Sequence, residues 1–255
     1  MTAARPDAGG PTPVLAVERV SKRFEGVVAL DDVTLDVRAG TVTCLLGDNG
    51  AGKTTLIAIM AGVHRPTTGR CLVDGSPTAF TSPRDALARG IATVHQDLAL
   101  IPLLSVWRNF FLGREPTRGA GPFRRIDAEQ CRAIARREVA LLGVVLDDVD
   151  RPVGTLSGGE RQAVAIARAI HAGARVLILD EPTAALGVRQ VALVLRAIAA
   201  ARDRGLAVVL ITHNPQHAHD VGDRFVVLRH GRVARDFLRG DTGPDQLIRA
   251  MTDGT

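Results

Sequence analysis

Short, nearly uninterrupted apolar runs recur in the second half of the chain, at residues 176–179, 207–212 and 225–228, with another at 91–94. Runs of this length, without alternation and separated by helical stretches, predict strands buried on both faces of a mostly parallel sheet. The opening differs. Residues 14–23, 33–37 and 41–46 are extended segments rich in Val, Leu and Thr, broken by Gly26 and Gly40, and predict a β-rich N-terminal portion. Helical spacing shows at 188–202, where Val191, Val194, Leu195 and Ile198 fall at i, i+3, i+4 and i+7 before Gly205 supplies a stop. Between Asp97 and Thr155 the strand signal fades, and helices are predicted near 105–112 and 128–142, the second opened by Asp127 and Gln130 in a D-x-x-Q start. Residues 115–122, rich in Gly, Pro and Arg, read as a surface loop between them. The fold class is α/β, with a helical subdomain inserted at about 97–160.

Composition narrows the class of molecule. Hydrophobic residues at 46% and charged residues at 23% of 255 exclude a disordered or fibrous chain. No apolar run approaches the roughly 18–20 residues of a membrane-spanning helix, and no secretory signal opens the chain, so work in the cytosol is expected. We expect a leader at 1–13, one domain at 14–251 and a short tail at 252–255. Cys44, Cys71 and Cys131 are far apart and lack metal-site spacing, which points to core packing. The net charge of +5 comes mostly from arginines spaced among acids. With no Tyr and one Trp, base-stacking platforms are scarce and a nucleic-acid partner is not expected.

The chemistry begins at Gly47, Asp48, Asn49, Gly50, Ala51, Gly52, Lys53 and Thr54, which fit G-x-x-x-x-G-K-[ST] between the strand at 41–46 and an apolar helical run at 56–61. Glycines let successive N–H groups point at phosphate oxygens, and the helix N-terminus adds partial positive charge there. Lys53 would neutralise the β and γ phosphates, and the Thr54 hydroxyl is suited to Mg²⁺. A nucleoside triphosphate is the implied ligand. Downstream, the strand at 176–179 ends in Asp180 and Glu181, two carboxylates at the strand end where such a loop sits; Asp180 is suited to the metal and Glu181 to deprotonating the attacking water.

Leu156-Ser157-Gly158-Gly159-Glu160-Arg161-Gln162 combines an S-x-x-E capping box with two glycines in a first helical turn, a cost of roughly 1 kcal/mol each that suggests an anion site. Together with the phosphate loop upstream and Leu177-Ile178-Leu179-Asp180-Glu181-Pro182-Thr183 downstream, this segment resembles the ATP-binding subunits of ATP-binding cassette (ABC) transporters over nearly the whole chain. The resemblance implies a P-loop NTPase core with an N-terminal antiparallel β subdomain, ATP and Mg²⁺ as cofactors, and head-to-tail pairing of two cassettes. Ser157, Gly158, Gly159 and Glu160 of one copy would then close on the nucleotide held by the other. It also implies that Phe24 stacks on adenine where Tyr is common, that Thr55 joins the phosphate loop, that Gln96 senses Mg²⁺ and the γ-phosphate, and that His213 contacts that phosphate and the attacking water. Gly187 departs from the family pattern, which has Asp there. Residues 95–100, 109–115 and 181–190 are similar to single-cassette ATPases of ribose- and fructose-type importers. That similarity implies an ATPase on the cytoplasmic face of the cell membrane, paired with integral permease subunits and served indirectly by a solute-binding protein. The groove for the permease is expected near 100–111, where Ile101, Leu103, Leu104, Val106, Trp107, Phe110 and Phe111 are concentrated. The alternatives are an importer of another solute, a non-transport ABC ATPase acting on nucleic acid or ribosomes, and a nucleotide-gated scaffold without turnover.

Overall fold

The computed structural model describes residues 12–119 and 121–252. The expected leader falls outside these residues up to position 11, as does the expected tail beyond Thr252. In chain order the elements are β1 (Leu15–Phe24), β2 (Val27–Val37), β3 (Val42–Leu46), α1 (Lys53–Met60), β4 (Thr68–Val73), β5 (Ser76–Thr78), α2 (Pro83–Ala88), β6 (Ile91–Val94), α3 (Val106–Phe111), β7 (Thr117–Arg118), β8 (Arg125–Ile126) and α4 (Ala128–Ala140). They continue with α5 (Gly158–His171), β9 (Val176–Asp180), α6 (Val188–Asp203), β10 (Ala207–Ile211), α7 (Pro215–Val221), β11 (Arg224–Arg229), β12 (Arg232–Leu238) and α8 (Pro244–Thr252).

Two compact units divide the chain. One takes the chain up to Thr93, Ala174–Glu181 and everything from Arg202; the other takes Val94–Gly173 and Pro182–Ala201, so it includes α5 and most of α6 as well as the segment expected at 97–160. In the first unit, one sheet has the order β2-β1-β4-β5, antiparallel throughout. A second has the order β12-β11-β3-β10-β9-β6, with β11, β3, β10 and β9 parallel and β12 antiparallel to β11. Leu15, Leu30 and Leu35 of the antiparallel sheet share one buried cluster with Leu45, Ile178, Val209 and Val226 of the other. The apolar runs predicted β6, β9, β10 and β11, and the extended segment at 41–46 predicted β3, which is fully buried. The sequence pattern missed β4 and β12, because each carries several exposed positions and forms no apolar run.

A buried ion network pins the first unit. Asp36, at the end of β2, accepts from Arg38 at 2.9 Å and from Arg224 at 2.7 Å, and Arg224 also bonds Asp236. Burial pushes the Asp36 carboxyl up, but hydrogen bonds and charge from Arg224 and Arg38 outweigh it and hold the group below the usual carboxylate range. A depressed carboxylate stabilises the fold above its unfolded pKa and loses that contribution as pH falls through its folded one. Asp36→Asn is therefore expected to lower unfolding free energy by about 2–4 kcal/mol at neutral pH, measured by urea titration. The gap to the wild type should begin to narrow below about pH 4, where the unfolded carboxyl takes up its proton, and close as pH falls through the lowered pKa of the folded protein.

In the second unit the region expected as a loop at 115–122 contains half of a short hairpin, with Thr117 opposite Ile126 and Arg118 opposite Arg125. Helix α4 starts as predicted, with Gln130 N–H donating to Asp127. The apolar load expected to face a permease is partly core: Val106, Trp107, Phe110 and Phe111 are each no more than 4% exposed, whereas Ile101 and Leu103 are open. Asn109 organises this corner. Fully buried, it accepts from the Ile101 N–H and faces the carbonyls of Ile101, Leu104 and Ser105 with its amide nitrogen, so it fixes the turn before α3.

Candidate functional site

Register explains how the first unit gathers its chemistry. Leu45 of β3 pairs with Ile211 of β10, and Ile211 pairs with Asp180 of β9, so three parallel strands end at one level. The residues leaving these strands must meet at that edge: Gly47 to Thr55 after β3, Asp180 and Glu181 at the end of β9, and Thr212 and His213 after β10. This is the carboxyl edge of a parallel sheet, where ligands bind in such folds.

The loop after β3 needs its glycines. Gly47, Gly50 and Gly52 have φ of +141°, +82° and +103°. A Cβ on Gly47 would run into the Leu228 carbonyl, and one on Gly52 would lie 2.7 Å from the Ala29 carbonyl. The loop wraps a cation. Lys53 is 8% exposed, and its Nζ donates to the carbonyls of Gly47 at 2.6 Å and Asp48 at 2.9 Å. Burial pulls the Lys53 amine below the usual lysine range, against the opposing pull of the Glu181, Asp48 and Asp180 carboxylates. Asp48, Asn49, Gly50 and Thr54 are exposed around it, whereas Gly47 and Ala51 are buried and Gly52 and Thr55 are half-buried.

Glu181 sits beside His213, with Oε1 and Nδ1 2.9 Å apart. A carboxylate can only accept, so Nδ1 carries the hydrogen of this contact. The ring is 67% exposed in its side chain while the Glu181 side chain is 19% exposed. Glu181 is held in the left-handed region at φ +48°, and its N–H donates to the Ile211 carbonyl. That conformation costs a non-glycine residue of order 1 kcal/mol or more and persists where neighbours enforce it. Its second oxygen, Oε2, is buried with no protein partner among the described residues.

These residues fit the groups the sequence implied. The glycine-lined loop and buried ammonium suit phosphate oxygens, and the unpartnered Glu181 Oε2 suits a water proton. Among the described residues no group of three or more His, Cys, Asp or Glu forms a metal cluster. Thr54 and Asp180 offer oxygen donors, the kind that suits Mg²⁺. Phe24, at the end of β1, is 43% exposed and not a core residue; His64 meets it edge-on at 5.5 Å.

Gln96 and Ser157 to Glu160 lie in the second unit, and Gln96 is exposed. Ser157 caps α5 in a complete capping box: the Glu160 N–H donates to Ser157 Oγ, and the Ser157 N–H donates to Glu160 Oε2 at 2.7 Å. The second glycine has an internal cause that the sequence did not reveal. A Cβ on Gly159 would lie 2.9 Å from the Gln190 carbonyl, so close approach of the α6 backbone requires it, whereas one on Gly158 would meet only the ends of the Leu186 and Gln190 side chains, which can move aside. Gly187 is under no such constraint: a Cβ there meets nothing within 4 Å, and its carbonyl accepts from Gln190 and Val191 as the cap of α6.

The chain matches the ABC transporter family over residues 30–184. It is 39% identical to the Xylose/arabinose import ATP-binding protein XylG of Sulfolobus acidocaldarius, over 94% of each chain. It is 43% identical to the Fructose import ATP-binding protein FrcA of Rhizobium meliloti, over 86% of each. The Ribose import ATP-binding protein RbsA 2 of Streptomyces avermitilis is 44% identical over 96% of this chain but 48% of its own length, so the chain spans about half of that relative. In fold it is similar to the ADP conformation of an ATP-binding cassette of an ABC transporter, with TM-score 0.79, 23% identity and coverage of 94% of this chain and 95% of that one. It is also similar to a dimeric bacterial ABC transporter cassette, with TM-score 0.72, 27% identity and coverage of 88% and 98%. The chain belongs to the ABC transporter family.

Proposed function

We propose that this chain is the ATP-hydrolysing subunit of an importer for a small solute of the simple-sugar class, working in pairs at the cytoplasmic face of a membrane. The observation that carries the reading is the meeting, at one end of three parallel strands, of the buried Lys53 ammonium with the Glu181–His213 pair. Gly47 to Thr55 bind the triphosphate, Phe24 takes the base, and Thr54, Asp180 and Gln96 would hold Mg²⁺, which would supply positive charge against the phosphates. Glu181 accepts the proton of the attacking water, and His213 orients Glu181 and the water from its exposed ring.

Head-to-tail pairing brings Ser157, Gly158, Gly159 and Glu160 of one copy to the nucleotide of the other. The similarity to a dimeric cassette supports pairing. Permease subunits seat on the second unit, where the exposed Ile101 and Leu103 adjoin a concavity lined by Leu100, Pro102 and Arg161. Among the described residues no helix is long and apolar enough to cross a membrane, which suits a peripheral subunit. The cargo class rests on the ribose, xylose/arabinose and fructose import relatives, and a solute-binding protein would serve the permease.

Phosphate release from Mg-ATP, measured with and without the copurifying membrane protein, tests the reading. Stimulation by the permease is expected. Stimulation by DNA or ribosomes instead would overturn the importer assignment, and silence under every condition would favour the scaffold.

A further inference from the structure

Phe24 is not an isolated ring. Lys22, two residues earlier on the same strand, places its Nζ over the ring, 5.0 Å from the centroid. The same Nζ donates to the Arg65 carbonyl at 2.9 Å. Arg65 lies in the segment that leaves α1 after Gly62, whose φ is +73°, and α1 begins at Lys53. One end of this helix is the phosphate cradle. The other end is tied, through a single ammonium, to the base platform. Lys22 is one of only two lysines in the chain, and the second is Lys53.

We infer that Lys22 is a positioning residue for the nucleobase: it covers one face of Phe24, leaves the other for stacking, and fixes the ring relative to the loop that follows the phosphate-binding helix. The inference rests on the reading of Phe24 and Lys53 as parts of one nucleotide site. A cation on an aromatic face draws on the ring's quadrupole, and the bond to Arg65 keeps the amine from swinging into solvent. His64 meets the ring from a second direction, its plane inclined at 72° to that of Phe24. The ring remains 43% exposed, so surface is left for a base. Because the tie is to the base platform and not to the cradle, its effect belongs to the base and not to the phosphates.

Calorimetric titration of the full chain with Mg-ATP and, separately, with inorganic tripolyphosphate tests this. Lys22→Met is expected to weaken ATP binding about two- to fivefold, the range of an exposed cation–π contact, and to leave tripolyphosphate binding unchanged. Lys22→Arg keeps a cation that can lie over the ring and is expected to restore ATP affinity. In a Phe24→Leu background, Lys22→Met is expected to cause no further loss. Equal weakening of tripolyphosphate, persistence of the loss in the Phe24→Leu background, or no loss at all would each overturn the inference. Its failure is separable from failure of the nucleotide site: if Lys53→Met left ATP affinity untouched, the site itself would fall, whereas a Lys53-dependent affinity indifferent to Lys22 would remove only the role of Lys22.

Discussion

Glu181→Gln is expected to lower phosphate release by about 10²- to 10⁴-fold while Mg-ATP affinity stays within a few-fold of the wild type. The substitution is nearly isosteric. An amide oxygen can still accept from His213 Nδ1, which lies 2.9 Å from Oε1 in the wild type, and the N–H bond to Ile211 belongs to the backbone, so the φ of +48° is kept. What disappears is the ability to take a proton at Oε2, the buried oxygen without a protein partner among the described residues. If two copies sandwich the nucleotide, the variant should also accumulate as a dimer in the presence of Mg-ATP, seen by size-exclusion chromatography with light scattering, while the wild type turns its ATP over and separates. Retention of a third or more of wild-type turnover would remove Glu181 from its role as base. Full loss of turnover with no dimer would leave the base in place and count against head-to-tail pairing.

How much of the fold and site is legible in the sequence differs from element to element. The phosphate loop is legible because its constraint is local: three glycines at positive φ and a lysine bonded to carbonyls five and six residues away are set within one turn of chain. The carboxylates at 180 and 181 are legible because an apolar run ending in acids marks the end of a buried strand. The contact of Glu181 with His213 is not readable from spacing, since 32 residues separate them; it comes from strand order and from the pairing of Ile211 with Asp180. The double glycine misleads in part. A first-turn glycine pair suggests an anion, and the structure adds a steric need that depends on where Gln190 lies, which no local pattern records. The apolar cluster at 101–111 reads as one surface and proves to be two things: core at Val106, Trp107, Phe110 and Phe111, and exposed chain at Ile101 and Leu103. Asn109, which holds that boundary, carries no sequence signal, because a single Asn in an apolar helix looks the same whether it is exposed or satisfied inside.

Lys53→Met is expected to weaken Mg-ATP binding by at least about 100-fold, since the ammonium offers charge-assisted bonds worth roughly 1.5–3 kcal/mol each to the phosphates it is placed to meet. Met keeps the aliphatic volume and fills the same buried channel, so the loss should not come from collapse of the loop; thermal unfolding without nucleotide reports that directly. The wild-type amine carries a second, more specific prediction. Burial already holds it below the usual lysine range despite the nearby carboxylates of Glu181, Asp48 and Asp180. Arrival of a polyanion favours the protonated form and raises that pKa, so binding at alkaline pH should take up protons, and affinity should fall as pH rises through the range where the free amine begins to deprotonate. Isothermal titration in two buffers of different ionisation enthalpy measures the uptake. The sign is fixed by the geometry: a depressed lysine gains a proton on meeting phosphate, and Lys53→Met should abolish that component. Proton release on binding, or uptake undiminished in the variant, would show that Lys53 is not the cation that meets the phosphates.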